Sequence, residues 1–190
     1  MGHRVGVLAL QGDFREHLAV LRRLDVPAQE VRTAKDLEAV DALILPGGES
    51  TTIARLMAKS GLDRGIKERG REGMPLYGTC AGLILLAKEL LEDRPQPLEL
   101  LDVTVDRNAY GRQVDSFEAD IEIRDLGEFH AVFIRAPKVT RSGPAVEVLA
   151  EHDGAPVLVR QGNVLASSFH PELTDDTRIH EFFLSFLEKS

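Results

Sequence analysis

Met74-Pro75-Leu76-Tyr77-Gly78-Thr79-Cys80-Ala81-Gly82-Leu83-Ile84-Leu85-Leu86-Ala87 is the stretch from which the fold is read. The short apolar run Met74 to Tyr77 predicts a buried strand, and Ala81 to Leu91 predicts a helix. Between them stands Gly-x-Cys-x-Gly, and Cys80 is the single cysteine of the chain. A residue on so sharp a strand-to-helix turn is expected to project at the top of a sheet. The flanking glycines are needed where a β-carbon would strike the neighbouring strand or helix. The following helix aims its N-terminus at the sulfur, and the partial positive charge there favours thiolate over thiol. Taken alone, Cys80 reads equally as a buried structural cysteine in a glycine-rich turn.

On the N-terminal side the pattern repeats. Arg4 to Leu10 and Ala42 to Leu45 are almost wholly apolar, as strands covered on both faces are, and Ala28 to Val31 is a further short strand. Helical patterns lie between: Phe14 to Leu24, a short one capped by Thr33 through Leu37, one beginning near Ile53, and Leu62 to Arg71. Alternation at this spacing predicts an α/β fold with a mainly parallel central sheet and helices on both faces. Chemistry in such folds gathers at the carboxyl ends of the strands. Gln11-Gly12, Pro46-Gly47-Gly48 and Gly78-Thr79-Cys80 all fall there, so three separate segments should converge on one crevice.

Towards the C-terminus the pattern changes. Leu101 to Asp106, Phe117 to Ile123, Ala131 to Ile134, Ala145 to Ala150, Val157 to Gln161 and Val164 to Phe169 read as short strands, with a hairpin turn at Gln161-Gly162-Asn163. They predict an antiparallel extension of the sheet within a single domain spanning residues 1–190. A last helix, capped by Asp175 or Asp176 and running to about Glu188, turns Ile179, Phe182, Phe183, Phe186 and Leu187 inward and leaves His180 at the surface.

The chain has 190 residues, 43% hydrophobic and 28% charged, with a net charge of −8. The size suits one sizeable core, and the acidic balance disfavours a nucleic-acid surface. One cysteine excludes an internal disulfide. With no signal-peptide pattern and no apolar run long enough for a bilayer, a cytoplasmic protein is expected, with no membrane partner. The six histidines show no metal-binding spacing, so neither a metal nor a cofactor is expected. Gly-Gly-Glu-Ser-Thr-Thr lacks the lysine of a phosphate-binding loop. His17, on the first helix, reads as structural.

Two further segments carry chemistry. In Ser167-Ser168-Phe169-His170-Pro171-Glu172, an extended backbone would place His170 and Glu172 side by side. A carboxylate on one ring nitrogen fixes the tautomer and leaves the other nitrogen for Cys80, giving nucleophile, base and orienter. The Gly47-Gly48 turn can aim a backbone N–H into a cleft, and the Ala81 N–H is the natural second donor for an oxyanion.

These three segments together resemble the triad-type (class I) glutamine amidotransferases. Leu10-Gln11-Gly12-Asp13-Phe14-Arg15-Glu16-His17, Leu45-Pro46-Gly47-Gly48-Glu49-Ser50-Thr51-Thr52, Arg107 to Glu118 and Phe133-Ile134-Arg135-Ala136-Pro137 narrow it to glutaminase subunits of pyridoxal 5′-phosphate synthase. The resemblance implies that Cys80 attacks the side-chain amide of L-glutamine, that His170 held by Glu172 moves the proton, and that a thioester forms and is hydrolysed. It implies that Gly47, Gly48, Glu49, Arg107, Ile134 and Arg135 contact the substrate, with Gly48 and Ala81 as the oxyanion hole. It also implies a (β/α)8-barrel synthase partner in a large hetero-oligomer, which receives the ammonia and switches the glutaminase on by docking. The Gly47-Gly48 peptide is a candidate for that switch, since a Gly-Gly peptide turns over cheaply. The pyridoxal product itself is not expected to bind here. Other readings are an elbow-cysteine peptidase or hydrolase, a non-catalytic binding subunit, and a glutaminase serving another synthase.

Overall fold

In the computed structural model, which describes residues 2–109 and 116–189, strand and helix alternate as the apolar pattern demands. The order is β1 (Val5–Leu8), α1 (Phe14–Arg23), β2 (Ala28–Val31), α2 (Ala34–Glu38), β3 (Ala42–Leu45), α3 (Ser50–Ser60), α4 (Leu62–Arg71), β4 (Leu76–Thr79) and α5 (Ala81–Leu86). Every residue of β1, β3 and β4 is buried, as strands covered on both faces must be. α2 opens on the expected Thr33 cap: Asp36 N–H donates to Thr33 Oγ1, and Asp36 Oδ2 accepts from Thr33 N–H.

Eight more strands follow: β5 (Ala87–Leu90), β6 (Leu101–Asp106), β7 (Ser116–Ile123), β8 (Gly127–Ile134), β9 (Lys138–Ser142), β10 (Glu147–His152), β11 (Ala155–Gln161) and β12 (Val164–Ser167). A seven-stranded sheet runs β10-β11-β12-β4-β3-β1-β2. Its pairs from β2 to β12 are parallel, and β11 and β10 add to that edge antiparallel. Gly162 at φ 57° turns the β11–β12 hairpin as expected.

The antiparallel extension is therefore real but shorter than the sequence suggests. β5, β6 and β9 form a separate three-stranded sheet, and β7 and β8 a separate ribbon. β9 has no counterpart in the sequence reading. The helix expected over Ala81 to Leu91 stops at Leu86, because the chain returning before β6 takes its carbonyls: Leu98 N–H donates to Leu85, Leu100 N–H to Leu86 and Glu99 N–H to Ala87. Pairing with β6 thus overrides the helix preference of Lys88-Glu89-Leu90.

The core lies on both faces of the large sheet, divided by the period of two along its strands. Leu43 and Leu45 face a layer made by α2 to α5, with Leu37, Ile53, Met57, Leu62 and Ile66. Ala42, Ile44 and Tyr77 face the layer of α1 and α6 (Arg178–Leu184), with Leu21, Ile179 and Phe183. α6 is shorter than predicted. Thr177 caps it, while the carboxylate of Asp176 is held by the Arg178 guanidinium, and residues Leu187–Lys189 form a 3₁₀ turn. His180, predicted at the surface, is fully buried against α1.

Candidate active site

Two parallel neighbours bring the reactive groups together. β12 pairs with β4 so that Ser167 stands opposite Thr79, and both chains leave the sheet at the same level. Cys80 follows one strand and His170 the other. The Cys80 N–H donates to the Ser167 carbonyl at 2.8 Å, tying the two exits together.

The elbow is strained as its sequence implies. Cys80 has φ 53° and ψ −102°, a conformation L-residues rarely adopt. A β-carbon on Gly78 would lie 2.5 Å from the Gly82 carbonyl carbon, and one on Gly82 would lie 2.1 Å from the Leu45 oxygen. Both glycines let helix and strand touch. The side chain does not stand out in the open, however: Cys80 is 7% exposed, and its thiol donates to the Ile134 carbonyl at 3.7 Å.

The ring of His170 is held from several sides. Its backbone N–H donates to the Val132 carbonyl at 2.9 Å, and its Nδ1 lies 2.6 Å from Glu172 Oε1. The two side chains meet as expected, but not through an extended backbone. Pro171–Leu173 is a 3₁₀ turn, and it is this turn that folds the carboxylate back onto the ring. His170 Nε2 is buried with no hydrogen-bond partner among the described residues. Burial works against a charged ring here, but Cys80 and Glu172 outweigh it and push the His170 pKa up to about 10. Burial raises the Glu172 pKa, and His170 only partly offsets it.

The Gly47-Gly48 turn borders this ring. A β-carbon on Gly47 would lie 2.4 Å from His170 Cε1. The Gly47 carbonyl accepts the Asp13 N–H at 2.9 Å, so the planar peptide points the Gly48 N–H away from Asp13. Gln11 Oε1 accepts the Glu49 N–H at 2.8 Å. The Gln11–Asp13 turn thus grips the glycine turn on both sides. Ala81 opens α5, where the first N–H groups have no acceptor within the helix.

Glu49 is turned to another use. Its carboxylate caps α3, accepting from Thr51 N at 3.1 Å, Thr52 N at 2.6 Å and Thr52 Oγ1 at 2.5 Å. Burial opposes its charge, but the bonds from Thr52 and Thr51 prevail and hold its pKa below the usual value. Arg107 reaches the same helix start, donating to Thr51 Oγ1 at 2.9 Å and Ser50 Oγ at 3.3 Å. Ile134 and Arg135 are exposed at the end of β8, with Arg135 at φ 45°. Most of the stretch after Arg107 that narrowed the resemblance, Tyr110 to Asp115, lies outside the described residues.

Three neighbours of the site were not expected there. Asp13 Oδ2 stands 3.6 Å from His170 Nδ1; burial raises its pKa, and His170 draws it down. Its position in the loop between β1 and α1, at the carboxyl edge of the sheet, is the signal that would have found it. Asp13, His170 and Glu172 are also the group of described residues nearest to a metal-ligand set, with atoms within 4.8 Å. His170 Nδ1 there is already engaged by Glu172. The other two neighbours are His17 and His180, both fully buried. His17 Nδ1 lies 2.9 Å from His180 Nε2, and His17 Nε2 lies 3.1 Å from Thr79 Oγ1 and 3.6 Å from Glu172 Oε2.

Residues 7–189 match the model of the SNO glutamine amidotransferase family. The chain is 60% identical to a protein of Thermus thermophilus named pyridoxal 5′-phosphate synthase subunit PdxT, over 95% of each. It is 52% identical to a protein of the same name from Thermosipho africanus, over 98% of this chain and all of that one. A solved structure titled crystal structure of glutamine amidotransferase superposes with a TM-score of 0.93 at 57% identity, covering 97% of this chain and 98% of that one. A family match across nearly the whole sequence, with relatives this similar along nearly their full length, means that the chain belongs to the SNO glutamine amidotransferase family.

Proposed function

We propose that this chain is the glutaminase subunit of a pyridoxal 5′-phosphate synthase, acting in vitamin B6 biosynthesis. It hydrolyses L-glutamine to L-glutamate and ammonia and hands the ammonia to the synthase subunit. The reading rests on one observation above all: a strained elbow cysteine beside a buried imidazole whose far nitrogen is 2.6 Å from a buried carboxylate.

The chemistry follows from that arrangement. Once the Cys80 thiol proton has passed to His170, the sulfur attacks the side-chain carboxamide carbon, and the carbonyl oxygen becomes an oxyanion facing the Gly48 and Ala81 N–H groups. His170, protonated and steadied by Glu172, gives its proton to the departing nitrogen, so ammonia leaves and a glutamyl thioester remains. His170 then takes a proton from water, which attacks the thioester, and glutamate leaves as the sulfur recovers its electrons. Gly47, Gly48 and the Glu49 backbone line the substrate site, with Ile134, Arg135 and Arg107 around them. The guanidinium of Arg107 suits the carboxylate of the amino acid.

The Gly47-Gly48 peptide is the proposed switch, with its carbonyl tethered to Asp13 until the partner docks. Comparing its orientation with and without partner and glutamine tests this; an identical, donor-in orientation in both states sinks it. All 190 residues act as one domain. No helix among the described residues is long and apolar enough to cross a membrane, and a cytoplasmic site of action is part of the proposal. The decisive assay measures glutamate release with and without the synthase subunit, for wild type and Cys80→Ala. Release that depends on Cys80 and rises with the partner supports the function. Partner-independent peptide cleavage, or release unchanged in Cys80→Ala, overturns it.

A further inference from the structure

Behind the Cys80, His170 and Glu172 side chains lies a buried polar row that the mechanism above does not use. It runs from His180 on α6 to His17 on α1, and from there to Thr79 and Glu172. Both histidines have no exposed surface, and neither packs as an inert aromatic. Burial is costly for polar rings unless they are bonded, so their placement beside Glu172 calls for a reason.

The protonation of the pair can be worked out. Burial lowers the pKa of both rings. His180 and then His170 add to this at His17, and Arg23 adds to it at His180, which falls to about 4. Both rings are therefore neutral at neutral pH, each with one N–H. Their 2.9 Å contact needs one N–H and one bare nitrogen. If His17 gives its proton to His180, its bare Nε2 faces Glu172 Oε2 and two lone pairs oppose each other. If His180 gives its Nε2 proton to His17 Nδ1, the His17 proton sits on Nε2. It then points at Thr79 Oγ1, with the negative Glu172 Oε2 at 3.6 Å. The second arrangement is electrostatically favoured, and it leaves His180 Nδ1 as the bare nitrogen with no partner. Glu172 Oε2 also has no hydrogen-bond partner among the described residues, so the His17 N–H supplies a favourable positive field to that oxygen.

We infer that His17, with its tautomer set by His180, is a positioning residue that holds Glu172 charged and oriented toward His170. The inference rests on the glutaminase reading for its link to turnover, but not for its link to the sulfur. Beyond His170, the Glu172 backbone N–H favours its charge and Asp13 opposes it. The His17 Nε2–H, directed at Thr79, adds its positive field 3.6 Å from the free Oε2.

Because Cys80 is the single cysteine, its alkylation by iodoacetamide reports this centre alone. His17→Leu keeps bulk and removes the N–H, whereas His17→Gln restores an N–H near the Nε2 position. In His17→Leu, alkylation at neutral pH should slow about tenfold or more and its pH midpoint should rise. The kcat for glutamine with the synthase subunit should fall in parallel while KM stays put. His17→Gln should recover most of both. Wild-type alkylation and kcat in His17→Leu, or a His17→Gln protein as impaired as His17→Leu, overturns the inference. If His17→Leu does not fold, His180→Leu takes its place, since it frees the His17 tautomer; a wild-type alkylation profile there overturns the inference, and a raised midpoint supports it. If wild type released no glutamate, the glutaminase reading would fail, while the alkylation comparison would still decide the role of His17.

Discussion

A β-carbon on Gly47 would stand 2.4 Å from Cε1 of His170. The ring cannot retreat freely, because Glu172 grips its Nδ1 at 2.6 Å and the Val132 carbonyl holds its backbone. Gly47→Ala should therefore force the turn and the ring apart against that grip, misaligning the site. We expect kcat to fall about tenfold or more, since an ångström-scale misplacement carries a penalty of that order. Urea unfolding should show a loss of only about 1–3 kcal/mol. Wild-type kcat in a folded Gly47→Ala protein would contradict the close packing of ring on turn.

The Glu49 side chain serves α3. Removing it in Glu49→Ala leaves Thr51 and Thr52 N–H groups without their acceptor. The expected loss is about 1 kcal/mol of stability, measured by urea or thermal unfolding, with KM for glutamine unchanged. A raised KM with unaltered stability would show instead that the carboxylate belongs to the substrate.

Gly82 has backbone, not a flexible side chain, against its α-carbon. In Gly82→Ala the new methyl would meet the Leu45 carbonyl at 2.1 Å, so α5 must shift off β3. We expect about 3 kcal/mol or more of destabilisation, read as a lower urea midpoint. Glutamate release should fall with it, since Cys80 precedes this helix.

Stability should decline as the pH drops through the range set by the buried histidines. The His180 pKa falls to about 4 in the folded chain, through burial first and Arg23 second, against an unfolded value of 6.5. The unfolded chain thus binds the proton first, between pH 6.5 and about 4, and folding stability is lost over that window. For this group alone the loss is about 3 kcal/mol. Burial, then His180 and His170, also lower the His17 pKa, so that ring adds to the decline as the pH falls. The Tm of wild type followed from pH 7 to pH 4 should fall more steeply than that of His180→Leu. Parallel curves would mean that His180 does not titrate in this way.

The local pattern was enough for much of the molecule. Apolar runs of four residues bounded by turn residues gave β1, β3 and β4 because a strand buried on both faces has no polar side to show. The elbow was legible because Gly78 and Gly82 bracket the one cysteine, and close contact with Gly82 and Leu45 explains both glycines. Thr33 was legible as a cap because its partner Asp36 lies only three residues on. The pairing of His170 with Glu172 was likewise near in sequence, although a 3₁₀ turn and not an extended segment achieves it.

Spacing within a few residues thus carried β1 to β4, their alternation with helices, most of the later strands and the chemical identity of the reactive groups. Long-range packing was needed to lay β12 parallel to β4 with Ser167 opposite Thr79, which is what sets His170 beside Cys80. It alone turned Lys88-Glu89-Leu90 into a strand against β6, brought Asp13 to the His170 ring and buried His180 against His17. Those contacts join residues far apart in the chain, and they depend on which surfaces pack together, a choice no local periodicity encodes.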